Sequence, residues 1–134
     1  GDITKENLGV NSTSYKKLLE TIDTVIHTAA TVKHYGNANL FYKINILGTK
    51  NIIDFCKMNH AKLHYISTIS VSGQYTEKES RTFTENDFWI EQNYSDNEYI
   101  NSKFQAEYEI LKEIKNNNLY AKIYRVRKSN RKIL

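Results

Sequence analysis

Apolar positions along this chain follow two rhythms. Leu18, Leu19 and Ile22 come after Ser12 and Ser14 at helical spacing, so either serine can cap a short helix. Residues 24–29, Thr-Val-Ile-His-Thr-Ala, are a compact run rich in β-branched side chains, the pattern of a buried strand. From Asn39, the positions Leu40, Ile44, Leu47, Ile52, Ile53 and Cys56 recur at helical spacing and stop near the polar Asn59-His60. That spacing predicts a helix of about five turns. Residues 62–67 read as a second strand, and a polar stretch then runs from Gly73 to about Glu98. Tyr99 to Asn116 sets Ile100, Phe104, Tyr108, Leu111 and Ile114 along one side, predicting a long amphipathic helix stopped by Asn116, Asn117 and Asn118. Tyr120 to Val126 is the third strand.

Strands that alternate with helices imply βαβ crossovers and a parallel sheet, so the fold class is α/β. In such sheets ligands sit beyond the carboxyl ends of the strands. The first strand ends in His27, Thr28, Ala29 and Ala30, whose small side chains let a flat ligand approach the backbone. The second ends in Ser67 and Thr68, whose hydroxyls can hydrogen-bond to that ligand. Tyr99 and Lys103 stand one helical turn apart, where an ammonium favours phenolate and tunes a proton donor. Two other pairs share this spacing, Tyr108/Lys112 and Tyr124/Lys128, but only Tyr99 opens its helix directly after the long polar stretch.

Composition narrows the class further. Of 134 residues, 40% are apolar and 25% charged, which excludes disordered and fibrous chains, and no apolar run approaches a membrane span. The single Cys56 forms no intrachain disulfide and reads as an inert core thiol, which predicts a reducing, cytoplasmic setting. The opening Gly-Asp-Ile-Thr has no basic or apolar leader character and reads like the middle of a longer protein. The net charge of +4 comes from six basic residues between Lys122 and Lys132, with no acid among residues 122–134. A terminal basic run of this kind reads as solvated rather than as a nucleic-acid face. His27, His34, His60 and His64 have no metal-ligand spacing, and Glu85 with Asp87 reads as a loop turn.

The segments Thr68-Ile-Ser-Val-Ser-Gly73, Tyr99-x-x-x-Lys103 and Asn45-Ile-Leu-Gly-Thr49 together resemble the extended short-chain dehydrogenase/reductase superfamily. Gly1-Asp-Ile-Thr4, His27-Thr-Ala-Ala-Thr-Val-Lys-His34, Tyr65 to Gly73 and Phe83-Thr-Glu-Asn-Asp87 sharpen the match. They are similar to the thioester reductase domains of nonribosomal peptide synthetases, and to carboxylic acid reductases and male-sterility-like acyl reductases. The resemblance implies a partial Rossmann-like, doubly wound domain over residues 1–126, followed by a basic tail at 127–134. It implies catalytic roles for Thr68, Tyr99 and Lys103, with Asn45 as an organiser. It places Asp2 and Ile3 along the adenine of NADPH or NADH, Ala29 and Ala30 against the ribose and diphosphate, and Lys103 on the nicotinamide ribose. The implied partner is an acyl or peptidyl carrier protein with a phosphopantetheine-bound substrate.

The family's first strand and glycine-rich turn precede the stretch represented here, so the matching segment supplies the fourth to sixth strands of the 3-2-1-4-5-6 order. The first strand, from Thr24 to Ala29, is then an open edge that predicts self-association or dependence on another chain. Two alternatives stand beside acyl reduction. One is a sugar-nucleotide epimerase or dehydratase, and the other is a non-catalytic remnant that acts by association.

Overall fold

The computed structural model describes residues 1–32, 37–73, 82–94 and 97–127. Lys33 and His34, part of one quoted motif, and the basic run from Lys128 onward lie outside the described residues. Helix α1 (Ser12–Thr21) leads into strand β1 (Thr24–His27). A continuous helical segment follows, made of α2 (Ala38–Phe41), a π-helical stretch (Tyr42–Leu47) and α3 (Gly48–Asn59). Strand β2 (Lys62–Thr68) runs into a 3-10 turn (Ile69–Ser72), and helix α4 (Glu98–Lys115) leads to strand β3 (Ala121–Val126). The cap of α1 is Asn11, not a serine: its side chain accepts from Ser14 N at 2.8 Å. Asn is as good an N-cap as Ser, and it stands one residue upstream of the serines. Strand β1 stops at His27, two residues before the predicted end, and leaves Thr28 to Ala30 as connecting backbone.

The sheet has the order β1-β2-β3 and both pairs are parallel. Thr24 pairs with Lys62 and His27 with Tyr65, while Thr68 pairs with Val126. One face packs Leu63 and Tyr65, with Val25, Ala121 and Ile123, against Ile52, Ile53 and Cys56 of α3 and Ala106 and Ile110 of α4. On the other face Ile26, Tyr124 and Val126 are exposed. Two-sided alternation of this kind is what a period of two requires of a sheet covered on one side. Cys56 is buried in that core, and burial pushes its thiol up to about 12, so it is chemically quiet at neutral pH.

Helix α4 departs from its predicted orientation. Tyr108, expected in an apolar stripe, is 53% exposed, and the fully buried positions are instead Ser102, Lys103, Ala106, Glu107 and Ile110. Phe104 turns toward the preceding loop, stacking on Phe88 at 4.4 Å and lying 4.9 Å from Tyr94. Phe104 and Tyr108 of that stripe meet the loop while Ile114 packs on the core, and the side that carries Ser, Lys and Glu faces the sheet. A polar stripe buried at the carboxyl ends of parallel strands is the position where such folds place their chemistry.

Candidate functional site

Thr68 is the last residue of β2, and its Oγ1 accepts from Ser70 N at 3.2 Å, capping the 3-10 turn that begins at Ile69. Gly73 closes this turn with a φ of 67° that favours glycine; a Cβ there would lie 2.8 Å from Asn93 O. The segment after the loop is tied to this turn: Tyr94 Oη donates to Val71 O at 2.8 Å and Gln92 Nε2 donates to the same oxygen at 3.3 Å. A cleft of about 350 Å³ opens beside the turn, lined by Ser70, Ser72, Tyr94, Asn97 and Ile100 among others. A larger cavity of about 500 Å³ lies under Phe83 to Phe88 against β3 and α4, and shares only Ile69 with the cleft's lining. It adjoins the chemistry-bearing strand end without including Thr68, Tyr99 or Lys103 in its wall.

Tyr99 and Lys103 come from the first two turns of α4, which Asn97 caps by accepting from Ile100 N at 3.1 Å. Lys103 is 3% exposed, and its Nζ donates to Ile66 O at 2.6 Å, two residues before Thr68. The same ammonium lies 4.1 Å from the centre of the Tyr65 ring. Burial lowers the Lys103 amine to about 8, against the smaller opposing effect of the Glu107 carboxylate. Tyr99 does not show the depressed pKa expected from its lysine neighbour: burial raises it. The ammonium is engaged by the strand carbonyl and the Tyr65 face, so at neutral pH Tyr99 is a phenol with a proton to give.

Asn45 sits in the π-helical stretch and is 1% exposed. Its Oδ1 accepts from Thr31 N at 2.8 Å, while Nδ2 donates to Thr31 O at 3.2 Å and to Ser102 Oγ at 2.8 Å. It thereby ties the connection after Ala29-Ala30 to the first turns of α4. Ser102 escaped the reading of the sequence although it adjoins Lys103. Its signal was a small hydroxyl on the stripe that carries Lys103 and Ala106.

Arg125 corrects the view of the C-terminal basic residues as solvated. Its guanidinium forks onto the fully buried Glu107 carboxylate, with Nε at 3.1 Å and Nη2 at 2.8 Å from Oε2. Nη1 donates to Asp87 O at 2.8 Å and to Thr84 O at 3.3 Å, and the group lies 4.8 Å from the Phe83 ring centre. Asp87 Oδ2 in turn accepts from Thr84 N and Oγ1, so the Phe83 to Asp87 segment is a closed turn rather than an acid pair. Among the described residues no cluster of three His, Cys, Asp or Glu is arranged to hold a metal ion.

Asp2 and Ile3 lie beside α3. Asp2 Oδ1 accepts from Thr4 N and Oγ1, and Ile3 O accepts from Asn51 Nδ2 at 2.7 Å. Gly48 permits this approach, since a Cβ there would meet Ile3 Cδ1 at 2.6 Å. The residues present fit the nicotinamide-ribose end of a dinucleotide. Lys103 supplies a buried amine, Ala29 and Ala30 leave the β1 end unobstructed, and Ser67 Oγ is buried there with no hydrogen-bond partner among the described residues.

Comparison with known proteins bears on the family and the fold. Residues 1–128 match the male sterility protein family of NAD-binding domains. The polyketide synthase-nonribosomal peptide synthetase phmA of Phaeosphaeria nodorum is 31% identical over 72 residues, 54% of this chain and 2% of that protein. A thiolation-reductase di-domain from an archaeal non-ribosomal peptide synthetase superposes with a TM-score of 0.78 and 34% identity over 95% of this chain. A UDP-glucuronic acid 4-epimerase from Bacillus cereus, in complex with NAD, superposes with a TM-score of 0.68 and 26% identity over 92% of this chain. The chain spans 26% of the di-domain and 37% of the epimerase. Its α/β architecture, its three parallel strands and its match over residues 1–128 lead to one assignment: the chain belongs to the male sterility protein family, with the Rossmann-like fold of extended short-chain dehydrogenases/reductases.

Proposed function

We propose that this chain is the catalytic portion of an NADPH-dependent reductase that converts a carrier-bound acyl thioester to an aldehyde. The observation that carries the reading is the junction of β2 and α4. There Lys103 is fastened to Ile66 O beside Thr68, on the helix that carries Tyr99. The likeness to a thiolation-reductase di-domain supports a carrier partner bearing phosphopantetheine. When bound, the dinucleotide supplies hydride. Thr68 Oγ1 donates a hydrogen bond to the thioester carbonyl oxygen, and the Tyr99 phenol stabilises the oxyanion as it develops and delivers its proton, giving a thiohemiacetal whose C–S bond then breaks to release the aldehyde and the carrier's phosphopantetheine thiol. Lys103 holds the ribose end and steadies Tyr99, while Asp2 and Ile3 flank the adenine end. The buried thiol of Cys56 fits a reducing, cytoplasmic setting. Strand β1 stands at one edge of the sheet among the described residues and offers itself to a second chain.

The test is NADPH oxidation with an acyl-pantetheine thioester, with the aldehyde trapped and identified. Thr68→Ala and Tyr99→Phe should each lower kcat by roughly 10²–10³-fold. NADPH binding without thioester reduction, together with interconversion of a sugar nucleotide, would support the epimerase reading that the Bacillus cereus likeness favours. Absence of cofactor binding by the folded chain would support an associative remnant. A monodisperse monomer in light scattering would count against self-association through β1.

A further inference from the structure

Four buried side chains that bind no reacting group in the proposed chemistry form one line of hydrogen bonds. Thr49 Oγ1 donates its single proton to Asn45 O at 2.6 Å. At its 2.9 Å contact with His27 Nε2 it must therefore accept, which places the imidazole proton on Nε2. From Asn45 the line continues through Nδ2 to Ser102 Oγ at 2.8 Å, and Ser102 Oγ donates to Tyr99 O, also at 2.8 Å. Along these bonds no proton is used twice, and Thr49 Oγ1 keeps a second lone pair for the neighbouring Tyr65 hydroxyl. His27, Thr49, Asn45 and Ser102 are each 3% exposed or less. Burial, with a smaller contribution from Lys103, holds His27 down to about 4, so the imidazole stays neutral and the line keeps its direction through the neutral range.

The line has a definite beginning and end. It starts on β1, crosses the π-helical stretch and the first turn of α3, and finishes on the backbone of Tyr99, one residue into α4. Core packing needs no such route, because a Val at position 49 and an Ala at position 102 would fill comparable space without importing polar atoms. The cost of burying these groups is offset only if they fix something that apolar contacts leave free. What they reach is the carbonyl at the first turn of α4, where a small rotation displaces the phenol above it.

We propose that Thr49 and Ser102 are positioning residues that set the orientation of Tyr99, acting through Asn45, with His27 anchoring the far end. This rests on the reading of Tyr99 as proton donor. An error of about 1 Å at such a group is enough to lower a rate by roughly 10²-fold, so a partial loosening should cost less. In the full chain, Thr49→Val and Ser102→Ala should lower kcat of thioester reduction by about 10-fold. KM for NADPH should change by less than about 2-fold, because binding groups are untouched. Thr49→Ser, which keeps the hydroxyl, should restore the wild-type rate. Nitrogen-15 NMR of the same chain supplies a readout independent of turnover: Thr49→Val should move the His27 Nε2 resonance and the Tyr99 amide, and Thr49→Ser should move neither appreciably.

Wild-type kcat in both Thr49→Val and Ser102→Ala, with an unmoved Tyr99 amide, would overturn the proposal. If Thr49→Val unfolds, as circular dichroism would reveal, Ser102→Ala decides by the same two readouts. A wild-type chain that reduces no thioester removes the activity reading, and the NMR series alone then judges the line. Propagation from position 49 to the Tyr99 amide would uphold it, and silence at Tyr99 would overturn it.

Discussion

Lys103 and Glu107 lie one turn apart on α4, both buried against the sheet, and the molecule treats them in opposite ways. Glu107 receives a forked guanidinium whose remaining nitrogen is taken up by backbone carbonyls of the 83–87 turn. That pair cross-links α4, β3 and the loop, and it leaves no charge available to a ligand. Lys103 has a carbonyl and an aromatic face, neither of which neutralises it. Its lowered pKa is the sign of an incompletely compensated charge. The lesson is that burial by itself separates neither structure from chemistry: the partner does. A charge matched by an opposite charge fastens elements together, and one left with dipoles stays incompletely compensated.

The largest way to break this contrast is to strip Glu107 of its partner. Arg125→Met should destabilise the fold by about 3–5 kcal/mol in urea unfolding, because it strands a buried carboxylate. The double variant Glu107→Met/Arg125→Met should recover most of that loss, since the stranded charge is gone. Next in size is the acid response of His27, which lies beside Lys103 in charge if not in chain. The folded imidazole titrates at about 4 and the unfolded one at 6.5, so between these values the unfolded chain binds more protons. Stability contributed above pH 6.5 should be lost as pH falls through 4, by about 3 kcal/mol. His27→Gln should flatten that slope in a pH series of urea melts.

A smaller effect sharpens the other half of the comparison. Lys103→Met should abolish reduction and yet raise stability at pH 7 by about 1–2 kcal/mol, the relieved burial being partly offset by the lost contacts. The sign follows from the lowered amine: between pH 8 and 10.5 the unfolded chain holds more protons, so wild-type stability climbs with pH there. The advantage of the variant should therefore vanish by pH 10.5. Smallest is Lys50→Ala, which removes an exposed bridge from α3 to Glu109 of α4 at 3.4 Å. It should change stability by about 0.3 kcal/mol, marking the scale on which a surface pair differs from Glu107.

The elements were legible because their periods are local. The strand run at 24–29, the helix from Asn39 and the third strand from Tyr120 declare themselves within a dozen residues, and their ends moved by one or two positions. The facing of α4 was not legible, since two stripes compete on it. Ile100, Phe104 and Tyr108 form the more apolar one, and hydrophobicity predicts that this one is buried. What decides is tertiary: Phe88 and Tyr94 come back from the loop to cover Phe104, while Arg125 and Ile66 O satisfy the polar stripe. The candidate positions were legible in different ways: Thr68 from its place at a strand end, Tyr99 and Lys103 from their spacing, and Asn45 from the resemblance to a superfamily. Ser102, Glu107 and Arg125 were not, because each acts through a partner distant in the chain.

The π-helical stretch at Tyr42–Leu47 has a consequence for how this segment tolerates insertions and deletions. Phe41, Asn45 and Thr49 are all buried, at intervals of four. In an ideal α-helix each such interval overshoots a full circle by about 40°, so three residues at that spacing drift off a common line. The wider π turn cancels the drift and keeps a phenyl, an amide and a hydroxyl in register along the wall of the sheet. Loss of a single residue there would restore ordinary helical winding and shift the phase of everything downstream. The core residues of α3 would re-seat or Asn45 would turn away, but the chain could not keep both.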